Sequence, residues 1–173
     1  MEQKEIEKKL IFFSEPETDC AYKTLIENAQ SYSSLHTHVN ITPFLDSIKN
    51  REFSKALRQA CHVGIDYLVE ILLAYLQQAK PESKSVSYYI QAQSANDGRS
   101  ALHWAAIHAK ETGKLSILAT LLEHPPLNTY IVDDKFRTYH DYLSDDLKEK
   151  LEKLKKDRNI LVDWQYVTPT SNI

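Results

Sequence analysis

Seven histidines and two cysteines are the side chains best suited to chemistry near neutral pH. His36-Thr37-His38 spaces two imidazoles so that a strand would present both to one metal ion. No carboxylate or cysteine stands beside them at a recognisable ligand spacing, so a loop or helix end is expected there instead. Cys61-His62 pairs a thiol with a base in sequence, but neighbours on a helix point apart, and a Cys–His nucleophile needs them face to face. Cys61 is therefore expected as a small buried apolar residue. No Gly-rich phosphate loop, G-x-S-x-G elbow or H-E-x-x-H stretch occurs. The expectation is a protein that is not an enzyme and uses neither a cofactor nor a metal.

Composition bounds the rest. The chain has 173 residues, 42% hydrophobic and 26% charged, which suits one domain or a short stack with its own core. A net charge of −3 gives no reason to expect a nucleic-acid partner. Cys20 and Cys61 do not make a disulfide framework and suit a reducing compartment. The charged start lacks a signal-peptide core, and no apolar run approaches the ~20 residues of a spanning helix. A cytoplasmic protein is expected, with no membrane span and a monomer favoured. A protein exported without a cleaved signal would have the same composition.

Periodicity reads as helices throughout. Ile6, Leu10 and Phe13 fall near helical spacing. A second helix is expected from Thr18 or Asp19 through Ala29, ending in the serines Ser31–Ser34. Thr42-Pro43 is expected as N-cap and first helical residue of a short helix burying Phe44, Leu45 and Ile48. Helices follow from Glu52 to Val63, with Gly64 as its left-handed cap, and from Asp66 to Gln78. Tyr88-Tyr89-Ile90 reads as an extended piece. Asp97-Gly98 marks a turn, Ser100 caps a helix to Ala109, and Lys110-Glu111-Thr112-Gly113 turns the chain into a helix over Lys114–Glu123. Another helix is expected from Thr138, and a last one from Ser144 carries Leu147, Leu151 and Leu154 on one stripe. Six bases and five acids between Asp145 and Arg158 make its other face a solvated one. Val162, Trp164 and Tyr166 alternate in the tail, as in an extended arm.

The stretch Asn96-Asp97-Gly98-Arg99-Ser100-Ala101-Leu102-His103-Trp104-Ala105-Ala106 resembles the opening of an ankyrin repeat, D-x-x-G-x-T-P-L-H-x-A-A. Gly64, Gly98 and Gly113 stand where such repeats carry glycine. An earlier copy is Ala56–Gly64 followed by Tyr67–Leu73, with Leu57 matching Leu102. The two copies lie 45 residues apart. The family period is about 33 residues, so the loop around Ala79–Tyr88 must hold an insertion. A third, worn copy begins at Asp133, with Phe136 in place of the turn glycine, Tyr139 in place of Pro or Ala and His140 in place of Leu. The resemblance covers about residues 54–145.

What the resemblance implies is an all-α, ankyrin-like solenoid of helix pairs. It divides into an N-terminal helical cap (1–50), the repeats (51–145), and a C-terminal helix and extended tail (146–173). It implies that Gly98, Ser100, Leu102 and His103 are structural, with the His103 ring tying adjacent loops. It implies a protein partner of unknown identity on the concave surface, touched by Asn96, Arg99, Ile107 and His108, with Lys135 and Arg137 from the next turn. A short, lysine-rich ankyrin protein with long flanks is similar to those that intracellular bacteria and viruses direct at host proteins. The competing readings are chemistry in the flanks, where Cys20, His36 and His38 lie, and self-assembly through the Leu147–Leu154 stripe or Trp164.

Overall fold

A computed structural model describes residues 20–160; the expectations for Ile6, Leu10 and Phe13 and for the Val162–Tyr166 tail lie outside them. Among the described residues every regular element is helical. They are α1 (20–35), α2 (Thr42–Lys49), α3 (Phe53–Val63), α4 (Asp66–Ala79), α5 (Val86–Gln91), α6 (Ala101–Thr112), α7 (Ser116–Leu122) and α8 (Asp145–Asp157). Short 3-10 turns at Pro81–Ser83 and Tyr139–Tyr142 complete them.

Two rows of elements build the core. Helix α3 packs on α2 and on α6, and α6 packs in turn on the Tyr139–Tyr142 turn. Helix α4 touches α7, and α7 touches α8. The α3/α4 and α6/α7 pairs join the rows. The composition of each row explains the arrangement. Ala56 and Ala60 on α3, and Ala101, Ala105, Ala106 and Ala109 on α6, are all buried. Their small side chains let the two backbones approach closely. The other row supplies bulk through Leu68, Leu72, Leu76, Leu118, Leu121 and Leu151, all buried. Each such leucine contributes about 1.5–3 kcal/mol by leaving water. Cys61 is buried among them, as expected, and burial pushes its thiol well above the ordinary range, so it stays protonated.

Several boundaries differ from the sequence expectation. Helix α1 runs through Ser31–Ser34, where Ser34 turns its hydroxyl back onto the Gln30 carbonyl at 3.0 Å. Ile41 takes the N-cap place of α2, and Thr42 and Pro43 are its first two residues. The side chain of Asn40 accepts the Thr42 N–H at 3.0 Å and does the capping instead. Helix α6 continues through Lys110, Glu111 and Thr112 before Gly113 ends it, and α7 starts at Ser116 rather than Lys114. Thr138 opens a four-residue 3-10 turn, not a full helix.

The largest correction concerns Tyr88-Tyr89-Ile90, which are helical within α5. Val86, Tyr89 and Ile90 are buried, a spacing of three and four that only a helix puts on one face. The Tyr89 hydroxyl donates to the Pro81 carbonyl at 2.6 Å and folds the segment between α4 and α5 back on itself. Packing against α3, α4 and α6 outweighs the strand preference of the aromatic residues.

Candidate functional site: the paired turns before α6 and before the Tyr139–Tyr142 turn

Two turns of like construction lie side by side. In the first, Gly98 N–H donates to Ser94 at 2.9 Å, Ser94 N–H donates to Arg99 at 2.9 Å, and Asp97 Oδ1 accepts the Arg99 N–H at 3.0 Å. In the second, Phe136 N–H donates to Asp133 and Asp133 N–H donates to Arg137, each at 2.9 Å. Gly98 and Phe136 both take left-handed backbone, at φ +67° and +59°. Two residues after each stands a capping residue: Ser100, boxed with His103, and Thr138, boxed with Asp141.

The turns are bonded to each other. Asp134 N–H donates to the Asp97 carbonyl at 3.1 Å. A Cβ on Gly98 would lie 2.6 Å from Asp134 Oδ1 and 3.0 Å from the Asp134 nitrogen, so this approach needs glycine. His103 completes the tie. Its Nδ1 accepts the Ser100 N–H at 3.1 Å, which leaves the proton on Nε2 to donate to the Arg137 carbonyl at 2.9 Å. The ring is 1% exposed and bonded at both nitrogens as the neutral form. Burial, the largest influence, holds its pKa below the ordinary value.

Beneath the turns sits Asp133. Its Oδ1 accepts the N–H groups of Lys135 at 2.9 Å and Arg137 at 3.0 Å. Its Oδ2 accepts the Arg137 guanidinium at 3.0 Å and the Tyr142 hydroxyl. Arg99 Nε lies 3.9 Å away. Burial pushes this carboxyl up, but the bonds from Tyr142, Arg137 and Lys135 outweigh it and hold Asp133 well below the usual carboxylate range. Arg137 lies over the Tyr142 ring at 4.4 Å, and Arg99 lies over Trp104 at 4.8 Å and Tyr142 at 5.7 Å. Two cations, two aromatic rings and one buried anion thus form a single network.

The six residues expected to touch a partner lie in different environments. Asn96 and Lys135 are exposed on the turn tips, and Ile107 is half-buried on α6. Arg99 and Arg137 are half-buried in the Asp133 network, which fixes their guanidinium groups. His108 is half-buried against the end of α3, and a Cβ on Gly64 would overlap its ring. Burial is the main cause of its lowered pKa. His62 is exposed and rests 4.5 Å from the Trp104 ring. The expected structural residues Gly64, Gly98 and Gly113 all have positive φ, Leu102 is in the core, and Ser100 and His103 form the capping box.

Sequence reasoning missed Asp133 and Tyr142 as the centre of this site, and Gln91 and Gln93 as clamps. Gln93 donates to the Gly98 carbonyl at 2.7 Å and the Val132 carbonyl at 2.8 Å. Gln91 accepts the Asn128 N–H at 2.8 Å and donates to Pro126 at 3.3 Å. An acid three residues before the left-handed position was the available signal for Asp133; the glutamines carry none.

At the other candidates, His36 stacks on Tyr32 at 4.1 Å, and its Nδ1 lies 3.0 Å from the Tyr32 carbonyl. Its ring is 6.2 Å from that of His38. Among the described residues no group of three His, Cys, Asp or Glu side chains could hold a metal ion, and no helix is long and apolar enough to cross a membrane. Clefts of about 310, 360 and 420 Å³ lie on other faces, at the small end for ligand pockets. Comparison with protein-family models, with curated proteins and with solved structures gives no match.

Proposed function

We propose that this chain is a short ankyrin-like stack of helix pairs and that it binds another protein on the surface made by its turn tips and the exposed side of α3 and α6. On this reading α3/α4, α6/α7 and the Tyr139–Tyr142 turn with α8 are successive repeats. Helices α1 and α2 cover one end, α8 the other, and α5 is the insertion that lengthens the first repeat. The observation that carries the reading is the pair of like turns 38 residues apart, joined by Asp134 to Asp97 and by His103 to Arg137. Repeats that share a left-handed turn, a capping box and a tie to the next turn are the units of a stack. The tips are rigid and carry the exposed polar residues Asn96 and Lys135, which suits recognition of a surface rather than of a small molecule. On the same reading the chain is non-catalytic and acts as a host-directed binding protein.

The test is affinity purification with mass spectrometry, with wild type beside an Asn96→Arg/Lys135→Glu double variant. Both positions are exposed, so folding is expected to survive, whereas Arg99→Glu would strike the Asp133 network. A protein recovered by wild type and lost by the variant supports the reading. Equal recovery by both moves the binding surface elsewhere.

A further inference from the structure

We propose that Phe136 is an aromatic anchor that a partner protein receives in an uncharged apolar pocket; this rests on the protein-binding reading above and names the chemistry of the contact. Phe136 is 86% exposed at the tip of the second turn. Its φ is +59°, a backbone region that L residues with a Cβ enter at a cost. The first turn puts Gly98 at the matching place. A phenyl ring there therefore carries two costs, strain and exposed apolar surface, and packs into no part of the core.

The mount beneath the ring is fixed. Asp133 accepts both N–H groups that flank Phe136, those of Lys135 and Arg137, and the Asp133 carbonyl accepts the Phe136 N–H. The backbone that carries the ring is thereby held before binding, so little backbone freedom is lost there, and a Phe side chain has only two torsions to order. Tyr130 and Val132, 65% and 40% exposed, lie on the same connecting segment. Asn96 and Lys135 supply a polar rim.

Charge selects the occupant. Asp97, Asp133 and Asp134 balance Arg99, Lys135 and Arg137, so the paired turns are neutral. An anionic lipid surface needs a basic cluster, which these turns lack. A neutral tip with one protruding ring fits a protein pocket.

The experiment compares wild type, Phe136→Gly and Phe136→Leu, with the Asn96→Arg/Lys135→Glu variant alongside. Urea unfolding comes first: Phe136→Gly is expected to be as stable as wild type or more so, because glycine accepts the left-handed backbone. Clear destabilisation would make Phe136 a structural residue and overturn the proposal. Proteins captured from bacterial and animal cell lysates by wild type, and not by Phe136→Gly, are then purified and titrated. The proposal expects Phe136→Gly to weaken binding roughly tenfold or more while Phe136→Leu stays within about threefold. Capture unaffected by Phe136→Gly but lost in the Asn96/Lys135 variant overturns the anchor and leaves the binding surface standing. Capture indifferent to both overturns both. Failure to capture any Phe136-dependent protein, Phe136-dependent self-association in sedimentation, or Phe136-dependent binding to phosphatidylserine vesicles also overturns it.

Discussion

Tyr142 donates its hydroxyl to the buried carboxylate of Asp133, and through that bond the end of the Tyr139–Tyr142 turn is tied to the start of its own loop. The carboxylate also receives the Arg137 side chain and two backbone N–H groups, so one side chain holds the whole second turn. Removing its charge leaves the half-buried Arg137 guanidinium without its anion and Arg99 with Asp97 alone, 3.7 Å away. Asp133→Asn is expected to cost about 2–4 kcal/mol, and Tyr142→Phe about 1–2 kcal/mol. Urea denaturation of both single variants and the double variant checks this. The double is expected to cost less than the sum, because the two share one interaction.

Gly98→Ala is expected to destabilise the fold by about 2 kcal/mol or more, from left-handed strain together with the close approach of Asp134. Thermal unfolding measures it. A loss below about 0.5 kcal/mol would mean that the two turns separate easily, and the tie from Asp134 to Asp97 would then count for little.

Acid should weaken the fold in two stages. The His103 pKa in the folded chain lies below its ordinary 6.5, so just below that pH the unfolded chain takes up a proton that the folded chain refuses. Stability is therefore complete above about pH 6.5 and falls as the pH drops below it. His108, His124 and His140 are also lowered by burial and add to the same fall. Asp133 is held below its ordinary 3.8, so a second loss begins as the pH passes below that value. Urea midpoints from pH 8 to pH 3 test both stages. His103→Gln is expected to make the first stage shallower, with the other three histidines retaining the rest, and to leave the second; a profile parallel to wild type would contradict the role of His103.

What the sequence made legible follows from local chemistry. Gly64 and Gly98, the capping role of Ser100 and the leucine spacing of α4 and α8 each act within a few residues, and all appear at their expected places. On the charged face of α8, Asp146 and Lys150, one turn apart, pair at 2.8 Å, while Glu152 turns to Lys155 at 3.1 Å. Failures came where distant contacts decide. Strand-forming Tyr88-Tyr89-Ile90 became helical because α5 packs between other helices. Asp133 looked like an ordinary turn residue, since its partners Tyr142 and Arg99 lie nine residues on and 34 residues back. Arg99 and Arg137 were expected to face a partner for their position in the motif, yet Asp133 and two aromatic rings hold both side chains.

The binding surface itself is tested most directly by hydrogen exchange of the whole protein, alone and with the captured partner bound. Protection is expected across the turn tips at 94–99 and 133–137 and along the exposed side of α6 near Ile107, with α4, α7 and α8 unchanged. Protection confined to α4, α7 and α8, with the turns unaffected, would contradict the account.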